Sequence, residues 1–485
     1  MTMRHWKIGS GLTLATIAML ALTTGPSTAT QRAAALDPRA GEAAFRETYR
    51  ELVETNTVFG QGSCTLAAER MAARLRAAGF PDSDLHLVVP PGREREGNLV
   101  AVMPGSDASA PAMLLLAHID VVAANRADWE RDPFTLVEEN GNFYARGSID
   151  DKAQAAVWVD TLIRFRQEGF RPRRTIRMAL TCGEETAEGA LNGARYLVQE
   201  HRALIDAELA LNEGGGGMMD ANDRPLMVTL QVGEKLPQNF RLEVTNPGGH
   251  SSRPVRDNAI TRLSRALIRV GEHDFPIEAN AVTTNMFREM ARFAPAPVNG
   301  LMTRFAANPA DAQAGAALAA ADPSFNALMR TTCVTTTITG GHAPNALPQR
   351  VSANVNCRVM PGTSTASIRD ALIAVINDPQ VSVTMLPARS DPSPAPPLND
   401  RILAPARRAA QAVFPGTPLV PTMVAGGTDA AFLTPAGIPT YGITGFMTRI
   451  EGNSAHGLNE FIRVQSLMDG RAMLYLLVRD MASRR

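Results

Sequence analysis

Cysteine is scarce in this chain: four in 485 residues, at Cys64, Cys182, Cys333 and Cys357, with no CxxC spacing. That excludes a sulfur-ligated zinc site and a thioredoxin-type motif. Net charge is missing too, since Lys+Arg and Asp+Glu both number 48, and no long basic run occurs. Nothing electrostatic therefore points to nucleic acid or an anionic membrane as partner, and partners must be read from a site. Two hydrolase signatures are also absent: there is no Gly-x-Ser-x-Gly elbow and no His-Glu-x-x-His helix. What is present is ordinary globular composition, 45% hydrophobic and 20% charged, with length for two or three domains.

The first residues read as an address. Arg4 and Lys7 precede an apolar run from Ile8 to about Thr23, and Ser27-Thr28-Ala29 place small residues at cleavage-type positions. The run is about 16 residues, shorter than the roughly 20 that a membrane-spanning helix needs. Residues 1–29 are therefore expected to be a secretory signal peptide, with the cut as late as about residue 35. This predicts a secreted or periplasmic protein with no stable membrane anchor after processing.

Beyond the leader, helical patterns at 41–57 and 66–80 precede apolar strand-like runs at 98–103, 113–122, 175–181, 208–212 and 227–232. Helices at 153–167 and 190–201 lie between them. Strands alternating with helices predict an α/β layer on a mostly parallel sheet. The order then changes to strand 240–245, helix 258–270, strands 331–339 and 351–359, helix 364–376 and strand 381–386. This β-α-β-β-α-β series predicts an inserted α+β domain. A stretch rich in Ala, Pro and Asn at 293–323 interrupts it, and five prolines within 387–399 mark the return. The expected division is a catalytic domain at 36–237 and 389–485, with the inserted domain at 238–388.

Five segments place metal-type ligands where α/β enzymes build sites, beyond the carboxyl ends of strands. The first strand delivers His118, and Asp120 two residues on is placed to accept the other imidazole N–H. Asp150-Asp151-Lys152 opens a helix, where two carboxylates could equally serve as cap and first-turn charge. Glu184-Glu185 follows an apolar strand and Gly183, a costly place for paired carboxylates unless they bind a cation or share a proton. Glu213 stands at a strand end before four glycines, and His456 lies in the late segment Asn453-Ser-Ala-His-Gly-Leu-Asn-Glu460. Each segment alone has an ordinary reading as turn or solvated surface. Together, two histidines and several carboxylates supply the N/O donors that suit zinc, and a carboxylate has two oxygens to bridge a pair of ions.

On these motifs the chain resembles the two-zinc exopeptidases and amidases that include carboxypeptidase S, glutamate carboxypeptidase, carnosinase, aminoacylase and succinyl-diaminopimelate desuccinylase. The resemblance covers nearly everything after the leader and implies a zinc-exopeptidase-like catalytic domain with an inserted lid. It implies two Zn2+ per chain, one on His118, Asp150 and Glu213, the other on Asp150, Glu185 and His456, with Asp150 bridging. Asp120 would orient His118, and Glu184 would be the general base. His250, in Pro247-Gly-Gly-His-Ser-Ser, would contact the scissile carbonyl oxygen, in many relatives from a partner subunit. Asn345 and Arg358 would bind the substrate's carboxylate, whereas His342 has no counterpart and reads as a loop residue. Ala153 stands where the family usually has glycine after the lysine. The implied activity is hydrolysis of a peptide, as carboxypeptidase or dipeptidase, or alternatively of an N-acyl amino acid. A non-catalytic binding protein would be expected to have lost the base or a ligand, and all are present. The resemblance leaves room for a homodimer through the lid.

One expectation concerns the cysteines. If residues 331–339 and 351–359 form an antiparallel hairpin, pairing Thr339 with Val351 sets Cys333 opposite Cys357, with Cα atoms about 4.5 Å apart. An oxidising compartment permits the bond, and two buried free thiols are the alternative.

Overall fold

The computed structural model describes residues 37–186, 189–388, 390, 394–449 and 454–484. The leader lies outside that set, as do Asn453 and part of the proline-rich return. The compact unit runs from Pro38 to Arg485.

Its main layer is a ten-stranded sheet. At the centre, Ile176–Thr181, Met113–His118, Leu209–Asn212 and Thr440–Gly442 run parallel, and Asn98–Met103 joins antiparallel on one side. All six residues of Met113–His118 are buried. A strand covered on both faces needs no polar alternation, which is why it reads as an unbroken apolar run. Helix Lys152–Gln167 packs on it, and Trp158 Nε1 donates to the Leu116 carbonyl at 3.0 Å. Ala153 is fully buried in the first turn of that helix, its methyl part of the core. Helix Val464–Ser483 adds Leu474, Tyr475 and Leu477 to the same core, so the chain end returns to the first domain.

The lid sheet is antiparallel, in the order Thr332–Gly340, Arg350–Val359, Leu236–Thr245, Ser382–Met385. Helices Ala259–Gly271 and Thr365–Ile376 cover one face, and burial alternates along Arg350–Val359 as a one-sided sheet requires. A short ribbon pairs Gly249–His250 with Ala346–Leu347.

The interrupting segment is helical: Ala281–Met290, Val298–Ala307, Ala312–Ala321 and Pro323–Met329. Its core of Phe287, Met302, Phe305 and Leu318 includes Met227 and Val420, which belong to strands of the main sheet. The insertion thus leaves and re-enters the lid yet covers the catalytic layer. Lys235 sits at this crossing, fully buried, its Nζ donating to Ala327 O at 2.9 Å, Arg330 O at 2.8 Å and Thr332 Oγ1 at 3.1 Å. Burial, then the nearby charge of Arg358, pull this ammonium down to about 8.

The four cysteines form two disulfides. Cys333 and Cys357 face one another as the hairpin predicts, with Cα atoms 4.0 Å apart. The assumed register holds only around them. A bulge at Thr336 shifts the far end by one residue, so that Thr339 pairs with Ser352 and Gly340 with Val351. The second bond, Cys64–Cys182, joins residues 118 apart in sequence and had no local signal.

Candidate metal centre

Three neighbouring strand ends converge. His118 is the last residue of its strand, Glu213 follows Asn212, and Glu184-Glu185 stands just beyond Thr181. Asp150 precedes helix Lys152–Gln167, and His456 enters from a loop with φ 61°. Among the described residues, two groups bring ligand atoms within 4.8 Å of one another: His118, Asp150 and Glu213, and Asp150, Glu185 and His456. Asp150 belongs to both. Its Oδ1 lies 3.1 Å from His118 Nε2 and its Oδ2 3.2 Å from His456 Nε2. Glu213 Oε2 is 3.7 Å from His118 Nε2, and Glu185 Oε1 is 2.9 Å from His456 Nε2.

The electrostatics describe a cluster short of positive charge. Burial alone would lower the His118 imidazole, but the charge of Glu213 and the contacts with Asp120 and Asp150 raise it well above its usual range. His456 is pushed up to about 10 by Asp150 and Glu185. Burial raises Glu213. For Asp150, burial also acts upward, but His118 and His456 together hold the carboxyl below its usual range. A cation in each group would replace those protons, and one imidazole and two carboxylates per group fit a metal of borderline hardness.

Asp120 does more than the sequence suggests. The partner of His118 Nδ1 is the Asp120 backbone carbonyl at 3.0 Å, whereas the carboxylate lies at 3.6 Å, too far for a hydrogen bond. That carboxylate instead accepts from the backbone N–H groups of Glu184 at 3.2 Å and Glu185 at 3.0 Å. One residue thereby fixes the imidazole through its main chain and the glutamate turn through its side chain. Nor does Asp151 cap its helix, for its side chain makes no capping bond.

Glu460 closes the late histidine segment, and sequence reasoning assigned it no role. It is buried, and its carboxylate accepts from Arg146 Nη1 at 2.7 Å and from the N–H groups of Gly147, Ile149 and Asp150 at 3.1, 3.0 and 3.3 Å. Arg146 Nη2 also donates to Gly457 O at 3.1 Å, next to His456. This one buried ion pair shapes the approach of both Asp150 and His456. Asp429 works similarly behind the glutamates, accepting from Thr181 Oγ1 at 2.7 Å and Asn192 Nδ2 at 2.6 Å. Glu460 ends the late histidine segment and Asp429 ends Gly426-Gly-Thr-Asp, but their partners are 314, 248 and 237 residues away.

The lid residues are placed differently. His250 is exposed on the ribbon, its Nδ1 accepting from Ser252 N at 3.1 Å. Asn345 is exposed beside it, its carbonyl accepting from Ser251 N at 3.0 Å. Among the described residues, no hydrogen bond or ion pair joins either to the ligand groups. Arg358 is half-buried, across from Pro237 and Thr332. Asn354 and Asn356, on the same face of its strand, donate to Asn239 Oδ1 at 3.0 and 2.9 Å, so this polar cluster is an amide ladder across the sheet. His342 lies in the loop after the edge strand.

The chain is similar to known proteins in sequence and in fold. The family model of Peptidase family M20/M25/M40 matches residues 114–480. The N-fatty-acyl-amino acid synthase/hydrolase PM20D1 of Homo sapiens is 28% identical over 393 residues, which is 78% of this chain and 75% of that protein. A probable carboxypeptidase S-like 2 of Dictyostelium discoideum is 28% identical over 340 residues, 68% of this chain and 64% of that protein. Among solved structures, an M20 family metallo-carboxypeptidase of Sulfolobus solfataricus superposes with a TM-score of 0.68 at 17% identity. The superposition covers 90% of this chain and 99% of that one.

Proposed function

Since the chain belongs to Peptidase family M20/M25/M40, we propose that it is a two-zinc hydrolase that releases a C-terminal amino acid from a peptide, as a carboxypeptidase or dipeptidase. The observation that carries this reading is Asp150 offering one oxygen to each ligand group, with Glu184 adjacent to the ligand Glu185. His118 and Glu213 would hold one zinc, Glu185 and His456 the other, and Asp150 both.

Such a pair of ions, when bound, supplies Lewis acidity toward a carbonyl oxygen and lowers the pKa of water toward about 7. Glu184 takes the proton of the attacking water and passes it to the leaving nitrogen. Its backbone is held by Asp120 while its carboxylate works. His250 supports the oxyanion, and Arg358 with Asn345 grips the free carboxylate of the substrate by charge-assisted hydrogen bonds.

A second reading has support of its own. The similarity to an N-fatty-acyl-amino acid synthase/hydrolase favours an N-acyl amino acid as substrate, cleaved by the same groups. Turnover of dipeptides against N-acyl amino acids by the zinc-loaded protein decides between them. Hydrolysis of neither removes both readings.

We also propose export and dimerisation. The leader-like residues 1–29 and two disulfides suit an oxidising compartment, secreted or periplasmic. No helix among the described residues is long and apolar enough to cross a membrane. N-terminal sequencing of the fractionated protein tests the cut. The lid's edge strand Thr332–Gly340 exposes Val334 and Ile338, which supports a homodimer through the lid. Light scattering on the protein and on Ile338→Lys tests it.

A further inference from the structure

The turn carrying Glu184 and Glu185 starts at Cys182, which is bonded to Cys64, the first residue of helix Cys64–Ala77. Both cysteines are buried, at 1% and 2% exposure, and hydrolysis uses neither. We propose that the Cys64–Cys182 bond is a positioning element of the reaction. It sets where Glu184 and Glu185 stand, and so tunes the general base and the metal group of Glu185 and His456, leaving the group of His118 and Glu213 alone.

The argument is one of anchors. Main-chain bonds fix Cys182 locally, its N–H donating to Asn98 Oδ1 at 3.0 Å and its carbonyl accepting from Gly193 N at 2.7 Å. Gly183 then turns with φ 93°, where an added Cβ would sit 2.6 Å from Leu191 O, so the chain here has a single course. The next two amides hang on the Asp120 carboxylate. Asp120 holds the turn from the His118 strand, and Cys64 holds it covalently from a helix in the main core. One anchor precedes the glutamates and the other holds their own amides, Cys182 being two residues from Glu184 and three from Glu185. His118 ends one strand and Glu213 follows another, and neither turn carries a disulfide.

The inference rests on the proposed function only in taking Glu184 as base and Glu185 as ligand. The test compares Cys64→Ala/Cys182→Ala with Cys333→Ala/Cys357→Ala, the same chemistry in the lid. Zn2+ is titrated calorimetrically into each metal-free protein, and kcat and KM are measured. In the first variant one of two Zn2+ binding steps should weaken about 10- to 100-fold, the range for groups that orient a ligand. Its kcat should fall with KM changing less, and excess Zn2+ should restore part of it. The lid variant should match the unaltered protein. Two unchanged Zn2+ affinities with unchanged kcat overturn the proposal, whereas no Zn2+ binding by the unaltered protein overturns the proposed function instead.

If the first variant does not fold, linkage supplies the measurement on the unaltered protein. A water-soluble phosphine opens the disulfides, and alkylation with mass spectrometry tracks each. Zn2+ should slow opening of Cys64–Cys182 and leave Cys333–Cys357 unaffected. Equal rates with and without Zn2+ overturn the proposal.

Discussion

The Glu184 turn and the His250 ribbon both carry a residue assigned to hydrolysis, and both come after glycine. The first is locked: Glu184 is buried, its amide is held by Asp120, and a disulfide begins the turn. The second is a two-residue ribbon with an exposed imidazole and one backbone bond to its ring. The difference lies in what each must resist. The carboxylates gathered around Asp150 repel one another, and among the described residues only His118 and His456 offset that charge, so their places have to be held by the fold. His250, outside that cluster and exposed, carries no such charge to be held against.

This contrast is sharpest at the centre. Chelation should abolish activity, and Asp150→Asn should lose both ions, whereas His118→Ala and His456→Ala should each weaken mainly one. Metal analysis of the three purified variants checks this, and full activity after exhaustive chelation breaks it. Next in size is Glu184→Gln, expected to keep its metals while kcat falls roughly 100- to 10,000-fold. Near-normal turnover would remove Glu184 from the mechanism.

Glu460→Gln tests whether buried supports matter as much as ligands. Uncoupling it from Arg146 should cost about 3–5 kcal/mol of stability by denaturant unfolding. Metal affinity or activity should fall about 10- to 100-fold. A variant as stable and active as the parent would show that Asp150 and His456 need no such support.

On the lid side, Arg358→Ala should lose roughly ten- to a hundred-fold in kcat/KM on a free-acid substrate and little on its amide. Its metal content should not change. Equal hydrolysis of acid and amide by the parent protein would rule out carboxylate recognition. The smallest effect on activity is expected from removing Cys333–Cys357, which should lower stability by about 2–4 kcal/mol while leaving turnover unchanged. Thiol counting on denatured, unreduced protein should find none free.

The positions of His118, Glu185 and Glu213 were legible because parallel strands buried on both faces are continuous apolar runs, and side chains at or beyond their carboxyl ends stand out against them. The Cys333–Cys357 pair was legible for a related reason, since a hairpin keeps its partners near in sequence. Its register failed beyond the bulge at Thr336, because one extra residue leaves no mark in a threonine-rich strand. Asn354 and Asn356 share a strand face with Arg358 and form a cross-strand ladder to Asn239, a partner 115 and 117 positions away that their own strand does not mark.

By itself the sequence determined the order of elements and singled out the side chains that gather in the cluster, His118, Asp150, Glu185, Glu213 and His456, because these depend on local pattern: apolar runs, turn residues and the polar side chains directly after them. Only the tertiary structure decided which side chains hold those groups in place. The Arg146–Glu460 pair, the Cys64–Cys182 bond, the carboxylate of Asp120 under the glutamate turn, and the helical insertion lying on Met227 and Val420 all join distant or unpatterned positions. Such pairings are set by packing, where charge complementarity and burial act through space and leave no periodic trace along the chain.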